Sequence, residues 1–136
     1  MNNERHILSA FDRDLETVQA LVVKMGGMVE SAIHDAAIAL ETRDGELADD
    51  IRRRDKAIDA LEHQINEEAA RLIALRAPRA TDLRMVLSVI KISHILEHVG
   101  DYAKNIAKRS NVLADMPAID GAGMALRRMS ATVEAM

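Results

Sequence analysis

Apolar side chains recur with a seven-residue period from residue 7 to residue 41. Two positions of that period are apolar in every repeat, and they hold Leu8, Leu15, Val22, Val29 and Ala36, and Phe11, Val18, Met25, Ala32 and Ala39. This pattern predicts one long amphipathic helix. Gly26-Gly27 lies in its middle. Because each Gly costs about 1 kcal/mol relative to Ala in a helix, we expect a neighbouring helix to approach closely there, or the helix to bend.

Two more long helices follow from the same reasoning. The second carries two apolar lines, Ile51, Ile58, Ile65 and Leu72, and Leu47, Leu61 and Leu75. Asp44 is the expected N-cap of this helix, and Pro78 is expected to break it. Thr81 or Asp82 is expected to cap the third helix.

The third helix is apolar on two opposite faces. Its main seam is predicted to be Met85, Val89, Ile92, Leu96, Val99, Ala103, Ile106 and Leu113. At about 100° per residue, a second line runs along nearly the opposite face: Leu83, Leu87, Ile90, His94, Glu97, Asp101 and Asn105. When one face of a helix already packs in the bundle, an apolar face on the opposite side needs a second partner. We therefore expect another bundle or another copy of the chain to cover Leu83, Leu87 and Ile90.

The three helices, predicted at residues 5–42, 45–76 and 82–114, indicate an all-α fold, an antiparallel three-helix bundle with short turns. A fourth helix is expected over residues 117–136, where Leu126, Met129 and Val133 mark an apolar line. The chain stops within this pattern without a capping signal, so we expect the fourth helix to be truncated.

Composition narrows the classes of function. The chain has 136 residues, with 22 acidic against 18 basic side chains and a net charge of −4. This balance does not favour nucleic acid, which needs a basic face. The absence of cysteine excludes disulfides and thiolate metal sites and fits a reducing compartment. Neither a signal peptide nor a run of the roughly 18 apolar residues needed to span a bilayer is present, so we expect a cytoplasmic protein.

Residues 94–101, HILEHVGD, carry the candidate chemistry. Glu97 and Asp101 lie one helical turn apart, so their carboxylates converge on one point, and hard cations such as magnesium bind oxygen ligands of this kind. His94 and His98 flank the same face at the same spacing and could supply nitrogen to iron, zinc or nickel. The alternative is an ordinary solvated face, which charged pairs on long helices commonly form.

The same segment read as His94-x-x-Glu97-His98 has the order of an inverted zinc-protease motif, which would make the chain a metal-dependent hydrolase. That motif also needs a further carboxylate ligand and a substrate cleft from a large fold. Only 38 residues follow His98, so the hydrolase interpretation is disfavoured. The Glu-x-x-His signature of ferritin-like di-iron proteins does not occur in the sequence.

Three ordered motifs resemble the PhoU family of phosphate-specific transport system accessory proteins. They are Met25-Gly26-Gly27-Met28-Val29-Glu30, then Arg76-x-Pro78-x-Ala80-x-Asp82-Leu83-Arg84, then Lys91-Ile92-Ser93 with Leu96-Glu97-x-x-Gly100-Asp101 and Asn105-Ile106. The resemblance runs through residues 7–110 and implies a fold of two tandem three-helix repeats. Residues 5–115 would then be the first repeat, and residues 117–136 the truncated first helix of the second.

The resemblance implies a function that composition does not reveal. Members of the family are negative regulators of the phosphate starvation response, not enzymes, and they link a phosphate ABC transporter ATPase to a sensor histidine kinase. Membrane association would therefore come only through those partners. Related members bind multinuclear iron or zinc clusters through Glu/Asp-x-x-x-Asp motifs, and the matching residues here are Glu97 and Asp101. Ile95 and His98 stand where the family commonly has Asp and Arg, so the chain departs from the family pattern beside these two carboxylates.

Asp82 and Arg84 form a second polar cluster at the start of the third helix. One interpretation is structural, with Asp82 capping the helix and Arg84 pairing with Glu67 or Glu68. They could instead form a docking surface for the transporter ATPase or the kinase, since the family's Asp-Leu-Arg motif falls here. A helical module that only oligomerises, through Leu83, Leu87 and Ile90, is the alternative function, and a homo-oligomer is expected in either case.

Overall fold

Four α-helices follow one another along the chain: α1 (Asn2–Thr42), α2 (Gly45–Arg76), α3 (Thr81–Leu113) and α4 (Ala122–Ala135). The computed structural model describes the backbone of residues 2–113 and 122–135 and the side chains of residues 10–113 and 128–135. Each of α1, α2 and α3 packs against the other two, and α4 packs against α1. The described residues contain no strand, and the all-α class and three-helix bundle are confirmed.

Ion pairs and hydrogen bonds between helix ends define the up-down-up order. Arg76 at the end of α2 lies 3.0 Å from the Asp14 carboxylate near the start of α1. At the opposite end of the bundle, Asn111 of α3 donates to Asp49 of α2 over 3.2 Å. Consecutive helices are therefore antiparallel, and the polar face of α3 lies along α2.

The turns are set by local chemistry. The Asp44 side chain accepts a hydrogen bond from the Leu47 amide at 3.1 Å, which confirms Asp44 as the N-cap of α2. Ala77 takes a left-handed conformation with φ of 43° just before Pro78, and α2 ends at Arg76 as expected. The predicted capping of α3 is wrong, because neither Thr81 nor Asp82 makes a capping side-chain bond within the described chain. The first turn of α3 is instead held by the Ala80 carbonyl, which accepts from the Arg84 amide.

The heptad lines of α1 and α2 form the core, as the sequence predicts. The buried members are Phe11, Leu15, Val18, Met25, Val29, Ala32, Ala36, Ala39, Ile51, Ile58, Leu61, Ile65 and Leu72. Leu75 is an exception, since it is 65% exposed near the last turn of α2. Burial of these aliphatic side chains supplies the main driving force for folding.

The predicted seam of α3 is confirmed only in part: Val89 and Ala103 are buried, and Leu96, Val99 and Ile106 pack against the core. Met85 and Ile92 are 40% and 44% exposed, whereas the buried line is Val86, Val89, Ser93, Gly100, Ala103, Ala107 and Ser110. Most of these side chains are small, so α3 packs closely: the Ser110 hydroxyl donates to the Ala39 carbonyl at 3.0 Å. Because α3 packs through its small side chains, its larger apolar side chains Met85 and Ile92 lie toward the surface.

The back face of α3 is only partly as predicted. Leu87 is 50% exposed, Leu83 is half-buried, and Ile90 packs against the core. Ile95 is also exposed, at 52%. Exposed apolar surface therefore extends along α3 beyond the predicted line.

The expectation of a close helix approach at Gly26-Gly27 is also wrong. A Cβ atom placed on Gly26 or Gly27 would meet nothing within 4 Å among the described residues, and α1 runs through both as one helix. Gly100 and Gly45 lie at helix contacts instead, since a Cβ would lie 3.5 Å from Ile58 Cγ2 at Gly100 and 3.3 Å from Asn111 Oδ1 at Gly45.

The short helix α4 lies on α1, where Glu134 is 3.2 Å from His34. Val133 of the predicted apolar line is half-buried, Met129 is 62% exposed, and the Leu126 side chain lies outside the described residues. The predicted start of this helix at residue 117 also lies outside them. Within the described chain, every helix is too short or too polar to cross a bilayer.

Candidate metal centre

Acidic side chains from two helices meet midway along the bundle. Glu97 and Asp101 project from α3 toward α2, where Asp55 and Asp59 face them. Each pair is spaced four residues apart, so each presents two carboxylates from successive turns of one helix face. Four carboxylates from two rigid helices therefore converge on one polar strip.

Two overlapping groups of side chains have the spacing of metal ligands. In one, ligand atoms of Asp55, Asp59 and Asp101 all lie within 4.8 Å of one another, and in the other, those of Glu97, His98 and Asp101 do so. Asp101 belongs to both groups, so it lies at the centre of the strip. Carboxylate oxygens are the donors that hard cations prefer, and His98 adds a nitrogen that suits zinc, iron or nickel.

Asp55 is the buried member of the strip. The residue is only 4% exposed, and one carboxylate oxygen, Oδ2, lies 3.2 Å from the Lys104 ammonium of α3. The other oxygen, Oδ1, is buried without a hydrogen-bond partner among the described residues. Because a buried anionic oxygen is costly when unpaired, Asp55 fits a site that receives a further cation.

Electrostatic crowding changes the titration of the cluster. Burial, the hydrogen bond and charge of Asp101, and the charges of Glu62 and Asp59 raise the pKa of Glu97 to about 7. Burial and the charges of Asp55 and Asp101 also raise the pKa of Asp59, which the Lys104 ammonium partly opposes. The hydrogen bond from Lys104 to Asp55 raises the pKa of Lys104. Carboxylates packed this closely repel one another until a proton or a cation neutralises them.

The two candidate histidines lie in different surroundings. His94 Nδ1 is 2.7 Å from Glu62 of α2, and His94 belongs to neither group of potential ligands in the described chain. His98 is highly exposed beside Glu97, at 4.0 Å. The hydrolase interpretation requires both histidines to bind one metal ion. His94 and His98 do not belong to one ligand group in the described chain.

Asp82 and Arg84 lie in the first turn of α3, about 22 Å and about 20 Å along the helix from Glu97 at 1.5 Å per residue. Asp82 is half-buried and Arg84 is exposed. Arg84 makes no ion pair with the described residues, so the expected pairing with Glu67 or Glu68 is not formed; Glu68 pairs with Arg71 instead. These two side chains are separate from the acidic strip.

Sequence reasoning did not find Asp55, Asp59 or Glu62, and it did not predict that Lys104 pairs with Asp55. A signal was present, because Asp55-x-x-x-Asp59 repeats the spacing of Glu97-x-x-x-Asp101 on the preceding helix. That spacing is frequent on helices, however, and only the packing of α3 against α2 brings the two pairs together.

The sequence matches a known protein family and several of its members. The model of the PhoU domain family matches residues 22–110, which include both acidic pairs. A PhoU homolog of the phosphate-specific transport system from Zymomonas mobilis is 49% identical over 114 residues, covering 84% of this chain and 48% of that protein. The homolog from Caulobacter vibrioides is 38% identical over 129 residues, covering 95% of this chain and 56% of that one.

A solved structure agrees with the fold. The crystal structure of PhoU from Pseudomonas aeruginosa superposes with a TM-score of 0.86 at 34% sequence identity, covering 92% of this chain and 60% of that one. The chain thus spans about half the length of the curated relatives that it matches.

Proposed function

The chain belongs to the PhoU domain family, and from that membership we propose that it regulates phosphate uptake and the phosphate starvation response without catalysing a reaction. It acts in the cytoplasm as an adaptor between a phosphate ABC transporter ATPase and a sensor histidine kinase, and reaches the membrane through them. The main support for this proposal is the match over residues 22–110, which includes about half of α1, all of α2 and most of α3. The names of the relatives as phosphate-specific transport system accessory proteins support it.

The proposed docking surface is the start of α3. Arg84 is exposed and unpaired within the described chain, and Asp82 is half-buried beside it. Charges at the edge of an interface govern the association rate and partner choice, so an exposed Arg next to a partly buried Asp suits contact with a partner surface.

Binding of the 136-residue protein to the purified transporter ATPase and to the cytoplasmic part of the kinase tests the proposal. We expect binding to at least one of them, weakened about fivefold by Arg84→Glu, since an interfacial charge contributes on the order of 1 kcal/mol. Lys24→Glu, an equal charge reversal on α1, serves as the matched control and should leave binding unchanged. Binding to neither partner would contradict the adaptor role.

A cation held between α2 and α3 is the second part of the proposal. Asp55, Asp59, Glu97 and Asp101 would be its ligands, with His98 as an additional donor, and the unpaired Oδ1 of Asp55 supports this assignment. When bound, the ion would neutralise the carboxylates and link the two helices. Calorimetric titration with Mg²⁺ and Fe²⁺ should show binding that Glu97→Ala/Asp101→Ala abolishes, and a flat titration of the unmodified protein would rule the site out.

Self-association is the third part, and it also supports the alternative function as an oligomerisation module. Leu87 and Ile95 are 50% and 52% exposed on α3, and Met85 and Ile92 are 40% and 44% exposed. Several large apolar side chains exposed on one helix favour a contact with another protein. The proposed partner is a second copy of the chain.

A further inference from the structure

A groove between α2 and α3 adjoins the acidic strip and is lined mostly by cations. Its volume is about 570 Å³, and its basic residues are Arg52, Arg53 and Lys56 from α2 and Lys104 and Lys108 from α3. Three carboxylates, those of Asp49, Asp55 and Asp59, also line it. Five cations against three anions give the groove a positive excess on a chain whose net charge is −4.

Part of this positive charge is available for a ligand. Lys56 and Lys108 are exposed and make no ion pair with the described residues. Arg52 and Arg53 make only long contacts with carboxylates, at 3.9 and 3.7 Å, and both side chains are largely exposed. Lys104 is different, because it is already engaged with Asp55.

The groove and the acidic strip share two residues. Asp55 and Asp59 line the groove and also form a ligand group with Asp101. While these carboxylates are ionised and unneutralised, they repel an approaching anion. A hard cation neutralises them, and ions such as Mg²⁺ commonly keep exchangeable water ligands that a phosphate oxygen can replace.

We propose that this groove binds a phosphate anion, and that it does so only when the adjoining acidic strip holds a metal ion. The inference rests on the proposed metal site and adds its ligand. Lys56 and Lys108 neutralise the anion on the groove side, while the metal faces it from the acidic strip. The ligand is small, because the basic residues are confined to two short stretches, 52–56 and 104–108, and the net charge of the chain is negative.

Equilibrium dialysis of inorganic phosphate against the 136-residue protein, with Mg²⁺ at saturation or with EDTA, tests the proposal. Phosphate affinity should rise at least about tenfold with Mg²⁺, and by linkage phosphate should raise Mg²⁺ affinity by the same factor. Equal phosphate binding in both conditions would overturn the proposal.

Variants locate the site. Lys56→Gln/Lys108→Gln should weaken phosphate binding about fivefold or more, because each lost charge contributes on the order of 1 kcal/mol at a solvent-exposed position. Its Mg²⁺ affinity in the absence of phosphate should remain within twofold of the unmodified protein's. Lys24→Gln/Lys91→Gln removes the same charge from outside the groove and should change neither affinity. An equal loss in both double variants would show that general charge attraction, not this groove, holds the anion.

Two comparisons complete the experiment. Phenyl phosphate in place of phosphate distinguishes a site for the free anion from one that accepts a phosphoryl group on a larger molecule. Metal-dependent binding of either one supports the groove. If the protein binds Mg²⁺ but neither phosphate compound, the metal site stands and the phosphate proposal is wrong. If the protein does not bind Mg²⁺, the proposed metal site is itself wrong.

Discussion

At the scale of the residue, Glu97 shows how neighbouring charges control a side chain. Its carboxyl lies against Asp101 on its own helix and near Asp59 and Glu62 of α2, and together with burial this raises its pKa to about 7. An ordinary glutamate titrates near pH 4.5. The folded protein therefore holds this proton more tightly than the unfolded chain does.

The sign of the pH effect follows from that difference. Between about pH 4.5 and pH 7 the folded state binds more protons than the unfolded state, so this group lowers stability as the pH rises through that range. Above pH 7 the full cost of ionising the crowded carboxyl is present. The same crowding favours any cation that takes the place of the proton.

In metal-free protein, Glu97→Gln should remove the free-energy cost of ionising the crowded carboxyl. We expect the variant to be more stable than the unmodified protein at pH 8, by on the order of 1 kcal/mol because solvent screens a partly exposed carboxyl. The difference should shrink toward zero at pH 4.5. Urea unfolding in EDTA at several pH values measures it, with Glu16→Gln on the exposed face of α1 as control. A difference that does not change with pH would contradict the assignment.

At the scale of the element, α1 and α3 use glycine differently. Gly26 and Gly27 have open space where a Cβ would lie, whereas Gly100 faces Ile58 and Val29 at ordinary contact distance. The conformational cost of the two α1 glycines is therefore not offset by packing within the described chain. Gly100, in contrast, lies at a helix contact where a Cβ would fit and a larger side chain would meet Ile58 and Val29.

Gly26→Ala and Gly27→Ala should each stabilise the protein, by about 1 kcal/mol according to helix propensity. Thermal and urea unfolding of the single and double variants measures the gain. Gly100→Leu should instead destabilise by about 2 kcal/mol, because the added side chain overpacks the contact with Ile58. If Gly26→Ala were destabilising, another surface would have to pack against that glycine.

The rotation of α3 is also decided at this scale. A hydrophobicity pattern assigns the largest side chains to the seam and so selects Met85 and Ile92, yet the structure buries Ser93, Ala107 and Ser110. Small residues permit closer packing, and the Ser110 hydroxyl finds a partner in the Ala39 carbonyl. Burial of a polar but hydrogen-bonded side chain costs little.

At the scale of the whole molecule, α3 exposes several large apolar side chains that nothing in the described chain covers. Met85, Leu87, Ile92 and Ile95 are each at least 40% exposed, whereas the core of the bundle is formed by apolar residues of α1, α2 and α3. Such surface is removed from water when a second copy of the chain covers it.

Leu87→Glu should therefore shift the protein from a dimer or larger assembly toward monomer, because a charge placed in an apolar contact must be desolvated. Sedimentation velocity across a range of concentrations measures the shift. Asn105→Glu introduces the same charge further along the same helical line, at a polar position, and should have no effect. An unchanged assembly state in Leu87→Glu would place the interface elsewhere.

The sequence by itself determined the helices, most of the turns and the acidic pair of α3. Heptad periodicity, the Asp44 cap and the Pro78 break act over a few residues, so they can be recognised in one chain without knowledge of its packing. The spacing of Glu97 and Asp101 is equally local, since one helical turn brings both carboxylates to the same face.

Only the tertiary structure decided which face of α3 is buried and what meets its carboxylates. Both depend on how far the helix is rotated about its axis and shifted along its neighbours, and these quantities follow from side-chain packing over the whole contact. That packing brings Asp55, Asp59 and Lys104 to Glu97 and Asp101, and it leaves Met85 and Ile92 exposed. Residues 42 positions apart in sequence, such as Asp59 and Asp101, become neighbours only once α2 and α3 have packed.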